Sequence, residues 1–527
     1  MANFVQPPCD EAVIRSRRAE APCAKSAGVW ILAATILGSS MAFIDGTVVN
    51  VALPALQRSL NATVLDVQWV VEAYALPLAA LLLVGGSLGD RYGRRRIFLI
   101  GVAFFSLASA WAGFAANISQ LILARAAQGV GGALLVPGSL AIIGASFRGE
   151  DRGRAIGTWS GFTAITAAIG PVLGGWLIQK VSWRAVFFLN LPLAIVVLLI
   201  SFSRVPESRD ENENKRLDWL GAALTTIGLG SLVYGLIESS RLGFNHPSVV
   251  MALIGGILFL AAFVAFEASA RNPMLPLALF RSRNFAAANL LTLLLYSALG
   301  GTLFFLPLNL IQVQGYTATA AGAALLPFIL IMFVLSRWSG GLVERYGAKL
   351  PLVIGPIIAA VGFALFAVPG VGANYWTEVF PATVVLGLGM AVSVAPLTTT
   401  VMNAVPENRV GIASGINNAI SRAAGLLAVA IFGIVMLHVF NRSLDSRLSA
   451  IELPATIKHS LDDQRIKLAG ITLPEEASLP LRETLRRAIN ESFVNGFRSV
   501  MLFGAVSALA SGMISWLLIA DREDRKE

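Results

Sequence analysis

The chain has 527 residues, 56% of them hydrophobic and only 13% charged, with a mean hydropathy of +0.72, far outside the range of soluble globular domains. It reads as an integral membrane protein. The formal net charge of +9 would suit nucleic acid, but the Lys and Arg residues lie in short segments between apolar runs rather than along one basic face, so no nucleic-acid partner is expected.

The polar tail of residues 1–27 holds both cysteines, Cys9 and Cys23, so neither a disulfide framework nor a CxxC metal site is indicated. It also carries Arg15, Arg17, Arg18 and Lys25, and the long apolar run behind it lacks a small-residue cleavage site; a retained first span is expected, not a cleaved signal peptide. Runs near the length of about 20 residues that crosses a bilayer follow at 28–53, 68–88, 97–116, 119–142, 153–178, 184–203, 217–237, 249–268, 285–311, 320–342, 350–369, 376–401, 410–437 and 497–520. Fourteen spans put both termini on one side. Arg94 to Arg96, Arg148, Arg152, Arg154, Lys215, Arg216, Arg281, Arg283, Lys349 and Arg409 fall in connections on that side, while the other carries only Arg58, Lys180, Arg184 and Arg241 in its short connections. The positive-inside rule then makes the termini cytoplasmic, in a cell (inner or plasma) membrane.

Between spans two and three lies Gly86-Ser87-Leu88-Gly89-Asp90-Arg91-Tyr92-Gly93-Arg94-Arg95-Arg96, a charged turn between apolar runs. It recurs as Gly340-Gly341-Leu342-Val343-Glu344-Arg345-Tyr346-Gly347-Ala348-Lys349 after span ten, and each copy leads into an apolar run with a Gly at the same offset, Gly101 and Gly355. Such internal repeats are typical of secondary transporters. They predict a six-helix bundle over 28–203, a linker with two inserted spans over 204–284, and a second six-helix bundle over 285–520, followed by a cytoplasmic tail at 521–527. Within the second bundle, an outer segment at 438–496 has Leu481, Leu485 and Ile489 at helical spacing, which predicts a surface helix or hairpin. It is too short for a catalytic domain with a sizeable core.

Gly86 to Arg96 resembles the signature loop of the major facilitator superfamily, and other segments resemble its fourteen-span branch, the drug:proton antiporter family 2. Leu37 to Pro54, with Asp45 and Asn50, is similar to that branch's first-span motif, and Arg125-Ala-Ala-Gln128-Gly129 to its Arg-x-x-Gln-Gly motif. Ala168-Ile-Gly170-Pro171-Val-Leu-Gly174-Gly175 resembles the span-five motif associated with antiporters rather than symporters, and Trp183-Arg184 with Phe188, Asn190 and Pro192 another pattern of the branch. The resemblance runs from about residue 30 to 520. It implies an all-α membrane protein with two six-helix bundles around a central cavity, plus two extra spans, working by alternating access driven by a proton gradient. The chain departs from the pattern at Glu72, where an uncharged residue is usual, and in the second loop, whose basic run is reduced to Lys349 before Pro351.

Helical rise places Asp45 roughly 20 to 25 Å along span one, Glu72 about 6 Å and Arg125 about 9 Å from the outer ends of spans two and four. Two acids and one Arg at a shared depth suggest a linked charge group, because an ionisable group inside a membrane usually meets a partner or a watery cavity. The expectation is that Asp45 and Glu72 share proton coupling and cation recognition, with Arg125 holding Asp45 until protonation releases it. Glu72, within about a turn of the surface, alternatively just reaches water; Arg125 alternatively clamps helices. Arg422, roughly 18 Å into span thirteen, is the main charge of the second half, with Glu344 and Arg345 as further candidates in the second loop.

Gly170-Pro171 and Gly174-Gly175 allow a bend and close helix approach. Asp90 lies where its carboxylate would reach helix N-terminal amides across the bundle interface, with Gly86, Gly89, Arg91, Gly93, Arg94 and Arg95 completing a cytoplasmic gate. Gly129-Val-Gly131-Gly132 lies inside an apolar span without the strand a nucleotide loop needs. The three His residues, His246, His438 and His459, fall near or outside the outer surface and no nucleophile and base pairing appears, so no enzyme, cofactor or metal is expected. The reading that follows is a proton-coupled exporter of small amphipathic compounds, lipophilic cations or drugs first, since acids outnumber bases in the cavity; a monomer is presumed. Alternatives are export of an endogenous lipid or metabolite by the same route, and uptake by proton symport.

Overall fold

The computed structural model describes residues 25–147, 149–209, 218–270, 273–406, 409–474 and 477–520. The expected tails up to residue 24 and from 521, with Cys9 and Cys23, and the basic residues Arg148, Lys215 and Arg216 lie outside the described residues. Among the described residues fourteen helices are long and apolar enough to cross a membrane, as expected: α1 (Gly28–Leu60), α2 (Val64–Tyr92), α3 (Arg94–Phe114), α4 (Ile118–Ser146), α5 (Arg154–Lys180), α6 (Ala185–Arg204), α7 (Trp219–Leu242), α8 (Pro247–Ser269), α9 (Arg283–Val313), α10 (Ala318–Leu335), α11 (Lys349–Phe366), α12 (Tyr375–Asn403), α13 (Val410–Leu448) and α14 (Leu479–Leu518). Helices are forced here, since hydrocarbon offers the backbone no partners of its own. The face at which α1 starts and α14 ends is called the near face, the other the far face.

Polar caps set the turns between spans. Thr63 and Asp66 form a reciprocal capping box at the start of α2, the Asp66 carboxylate accepting from the Thr63 N–H at 2.8 Å, and Asn117 caps α4 through the Gln120 N–H at 2.9 Å. At the near end of α2 the chain reverses through Gly93, whose φ of +112° is open to glycine and strained for other residues. Gly347, its counterpart in the second loop, has φ +77°.

Packing repeats along with sequence. In the first half α1 lies along α5 and α6, α4 against α2 and α3, and α3 against α6; in the second, α9 lies along α13 and α14, α12 against α10 and α11, and α11 against α14. A Cβ on Gly101 would come within 2.8 Å of the Leu135 backbone nitrogen on α4, and one on Gly355 within 3.1 Å of the Gly389 carbonyl on α12, so both glycines let the third helix of a half touch the fourth at backbone level. Even the loop stacking recurs: Arg91 lies over the Tyr92 ring at 5.3 Å and Arg345 over Tyr346 at 5.2 Å. The inserted helices are asymmetric. α7 fills the seam between the halves against α2 and α13, and α8 packs on α7 while exposing Met251, Ile254, Ile257 and Leu258.

The far-face segment differs in extent from the expectation of 438–496. α13 continues to Leu448 and α14 begins at Leu479, so the segment is mainly a protruding helical hairpin, with a short helix at Ala455–Asp462 in its connection. Leu485 and Ile489, at the predicted spacing, are fully buried there against Leu444, Leu448, Ile457 and Leu461. Apolar side chains on one stripe explain why the helices run past the membrane: they have a small core of their own to bury.

Candidate functional site

The first-span motif, the span-four motif and the Asn190 pattern converge on one buried cluster. α1 presents Asp45, α4 presents Arg125 and Gln128 one turn apart, α3 presents Ser109, and α6 presents Asn190; each is at most 1% exposed. Asp45 Oδ2 pairs with Arg125 Nη1, while Oδ1 accepts from Gln128 Nε2 at 2.7 Å and Asn190 Nδ2 at 3.3 Å. The guanidinium also donates to Gln128 Oε1 at 2.7 Å and to the Val70 carbonyl of α2 at 3.1 Å, and lies over the Tyr74 ring at 4.2 Å. Ser109 ties the amides together, receiving Asn190 Nδ2 at 3.0 Å and donating to the Phe187 carbonyl at 2.8 Å. A buried ion pair earns little stability unless its remaining donors and acceptors are met, and here they are met by Gln128, Asn190 and the Val70 carbonyl, from three helices. The expected pairing of Asp45 with Arg125 is therefore present, and Gln128, Asn190, Ser109 and Tyr74 join it. Helical spacing alone does not reveal these partners, since each comes from a different span.

Glu72 is buried, at 1% exposure, so it does not reach bulk water; neither of its oxygens has a hydrogen-bond partner among the described residues. It has the depth expected of it, because Val70 and Tyr74, which flank it on α2, both hold Arg125. Its direction differs. Two residues of helix turn the chain by about 200°, and the neighbours sharing the Glu72 face point into the seam between halves: Gln68 donates to the Val429 carbonyl of α13 at 3.1 Å, and Leu76 lies against Gly230 of α7. The linked group of two acids and one Arg is thus split, with Asp45 and Arg125 paired and Glu72 apart. Arg422 of α13 enters the same seam. Its guanidinium interacts electrostatically with Tyr74, and its Nε is buried without a partner. The contacts of α2 with α13, Gln68 to Val429 at one end and Leu83 to Gly415 at the other, put Arg422 about one helical turn from Glu72 in level, while its electrostatic partner is Tyr74, on the Arg125 side of α2.

Toward the far face the halves close on each other. Gln312 donates to Gln57 at 2.7 Å, Thr319 to Gln179 at 2.8 Å, and Lys467 to Asn61 at 2.7 Å. Here the span-five glycines do two different jobs. Gly170 and Gly174 seat α5 on α1, where side chains would meet Thr47 and Val48; Gly175 seats α5 on α10, with the Ala318 carbonyl where its Cβ would stand, and Gly322 of α10 meets the Pro171 carbonyl in return.

At the near face Asp90 pairs with Arg94 at 2.7 Å, one turn along, and among the described residues it reaches no amide across the interface. Glu207, just beyond α6, does the amide work instead: its carboxylate accepts from the Arg95 and Arg96 N–H groups at 3.0 and 3.1 Å, at the N-terminus of α3. Arg95 also donates to the Val205 carbonyl at 2.9 Å, and a Cβ on Gly93 would stand 2.7 Å from the Glu207 carboxylate. Gly86 lies near Pro137 of α4 and Gly89 near Arg94, Arg91 stacks on Tyr92, and in the second loop Glu344 and Arg345 are exposed. Glu207→Gln is expected to free the start of α3; faster amide hydrogen exchange over residues 94–98 would register it, and unchanged exchange would count against the cap.

Residues 35–429 match the family model described as "Major Facilitator Superfamily". The chain is 33% identical over 495 residues to "Multidrug resistance protein Stp" of Mycobacterium tuberculosis (strain CDC 1551 / Oshkosh), covering 92% of this chain and 91% of that protein. It is 31% identical over 502 residues to "Tetracenomycin C resistance and export protein" of Streptomyces glaucescens, covering 94% and 92%. Among solved structures, a bacterial homologue of the human lysosomal transporter Spinster, inward-facing and unoccupied, superposes with a TM-score of 0.66 at 17% identity over 94% of this chain and 98% of that one, a likeness of fold.

Proposed function

The chain belongs to the Major Facilitator Superfamily, and on that premise we propose that it is a proton-driven antiporter exporting amphipathic, drug-like compounds by alternating access. Its relatives' names speak of drug resistance and export, and the composition and packing are those of a transporter rather than an enzyme. The near face, with the basic connections, is the cytoplasmic one in a cell membrane, and the closed far face supports reading this conformation as the cytoplasm-facing state. Protons, the substrate and the bilayer are the partners, one chain being the working unit.

The observation that carries proton coupling is the Asp45 cluster. An aspartate held by Arg125, Gln128 and Asn190, whose amides Ser109 ties together, fixes the relative positions of α1, α3, α4 and α6 while it is charged. Protonation from outside, in the outward-facing state that follows substrate release, removes the ion pair, leaves Arg125 with Gln128 and the Val70 carbonyl, and loosens that half for the return tilt; release of the proton to the cytoplasm restores it. A full cycle thereby exchanges a proton moving inward for a substrate moving outward.

Glu72 is the residue for substrate charge. A carboxylate buried between halves without a partner has lost its water and regained nothing, which a lipophilic cation entering the seam would offset. This supports cations as the first substrate class. Arg422 in the same seam favours a second reading, carboxylate- or phosphate-bearing amphiphiles, including an endogenous lipid or metabolite. Efflux of a fluorescent lipophilic cation from loaded cells, with and without a collapsed proton gradient, tests both layers. Glu72→Gln is expected to lose cation efflux by tenfold or more, the loss of one buried charge-assisted contact, with no loss of thermal stability. If Glu72→Gln transports normally while Arg422→Gln does not, the substrate is anionic; gradient-independent or inward movement in the parent protein overturns the antiporter.

A further inference from the structure

The hairpin that α13 and α14 raise above the far face lies away from the Asp45 cluster and is rich in arginine. A cavity of about 930 Å³ lies between the two helices and the turn at Gly370 and Val371; among its walls are Arg447, Arg482, Arg486, Arg487 and Arg498. A second cavity of about 700 Å³ shares Arg447 and Arg498 with it and adds Arg442, Ser443, Ser446 and Ser499, so the two form one groove along the outside of the helix pair. Among the described residues, six arginines and two acids, Glu483 and Glu491, line the groove. Of these acids Glu491 is already engaged, pairing with Arg447 and with Arg487 at 2.9 Å.

Some of the positive charge serves the fold. Arg486 donates to the carbonyls of Ala469 and Ile471 at 3.2 and 3.1 Å, and Arg498 Nη2 to that of Val368 at 3.2 Å, fastening the hairpin to its own connection and to the end of α11. Carbonyl partners leave the charge itself uncompensated, however. Arg498 Nε is buried without a partner, as is Asn490 Oδ1, and Arg442 is exposed and takes part in no hydrogen bond or ion pair among the described residues. Like charges held this close repel one another unless an anion sits among them.

The height of the groove identifies the anion. Arg498 stands about 30 Å along α14 from its near-face end at Leu518, one hydrocarbon thickness away, which is the level of the far headgroups. Directly below it on the same helix face, Leu502, Val506, Leu509 and Met513 are 48 to 64% exposed, a bare apolar stripe at i, i+4, i+7 and i+11 leading into the bilayer. Arginines at headgroup level above such a stripe match a molecule with a phosphate at one end and an acyl chain at the other. We propose that the groove between α13 and α14 binds the phosphate headgroup of an anionic phospholipid of the far leaflet. Arg442 and Arg498 take the phosphate oxygens, Ser443 and Ser499 lie beside the headgroup, and the chain follows the Leu502 to Met513 stripe. The bound lipid braces the hairpin against the bundle and so the far ends of α13 and α14, whatever substrate crosses below.

Purified protein in neutral detergent, titrated with phosphatidylglycerol, phosphatidylcholine or inorganic phosphate, tests this by thermal unfolding and by native mass spectrometry of retained lipid. Phosphatidylglycerol is expected to raise the unfolding temperature and to survive as a bound adduct, with phosphatidylcholine giving neither. Arg442→Gln should weaken the lipid response about tenfold, the loss of one charge-assisted contact, and it leaves the scaffold intact because Arg442 holds nothing else in place. Arg442→Gln with Arg498→Gln should abolish it, while Arg241→Gln, on the same face but on α7, should leave it unchanged. Equal responses to the two lipids, or an undiminished response in Arg442→Gln, would overturn the site. Inorganic phosphate reproducing the full stabilisation would overturn the lipid assignment in favour of a free anion.

Discussion

Asp45→Asn is expected to bring gradient-driven efflux down to the level of cells lacking the protein and to lower thermal stability at the same time. The two effects have different origins and can be separated. Asn is nearly the size of Asp and keeps an acceptor for Gln128, but it takes the anion from a guanidinium that is 1% exposed. Removing one partner of a buried pair leaves the other charge uncompensated, at a cost of about 3 to 5 kcal/mol. Arg125 keeps Gln128, the Val70 carbonyl and the faces of Tyr74 and Phe187, none of them an anion. Pairing the change with Arg125→Gln removes both charges, and most of the lost stability should return, as it does when buried pairs are neutralised together.

Transport should not return with it. The proposed cycle needs a group that takes a proton on one side and releases it on the other, and the doubly neutral cluster has none. Thermal unfolding and efflux measured on the parent, on each single variant and on the double variant therefore read the two roles independently. Recovery of both in the double variant would mean that the cluster is only a clamp and that the proton is carried elsewhere, with Glu72 the next carboxylate to test. Efflux untouched in Asp45→Asn would remove the cluster from the coupling mechanism outright.

Much of this architecture is written in short-range features. Lipid forces helices, so apolar runs gave all fourteen spans to within a few residues, apart from α1, α13 and α14, which outlast their apolar stretches. The loop repeat was legible because its function is local: Gly93 and Gly347 both sit at positive φ, and an acid, an Arg and a Tyr beside them suit one particular turn. Depth was legible too, since rise per residue is constant. Azimuth was not. Glu72 shares its level with Arg125, but which side of α2 faces α4 depends on how the bundle packs, and that side belongs to Val70 and Tyr74. Partners supplied from distant segments were equally hidden: Glu207 lies over a hundred positions from the amides it caps, and Asn190 is 145 positions from Asp45. The far-face arginines sit in a segment whose net polarity advertised only exposure.

Gly175→Ala should open the far face, and its neighbour Gly174→Ala should not, although the two glycines are adjacent and their substitutions equally small. The Ala318 carbonyl occupies the place of the new methyl at Gly175, and a backbone atom cannot swing aside as a side-chain end does. α5 and α10 belong to different halves, so the clash is relieved simply by parting them, at the expense of the Thr319 to Gln179 and Gln312 to Gln57 hydrogen bonds. Overpacking of this kind costs about 1 to 3 kcal/mol. When one conformation bears the whole penalty, the ratio of the two shifts by roughly 5- to 150-fold. At Gly174 the obstacle is Val48 of α1, inside the same half. If each half tilts as a unit, that clash is present in both conformations, lowering stability but leaving their ratio alone. Spin labels at Arg58 and Tyr316, which line the same small gap at the far face, give the readout: a longer distance population in Gly175→Ala and none in Gly174→Ala. Gly322→Ala, pressing on the Pro171 carbonyl from the opposite side, should behave like Gly175→Ala. A common response from all three would mean that α5 bends against α1 during the cycle, and that the halves do not move as rigid bodies.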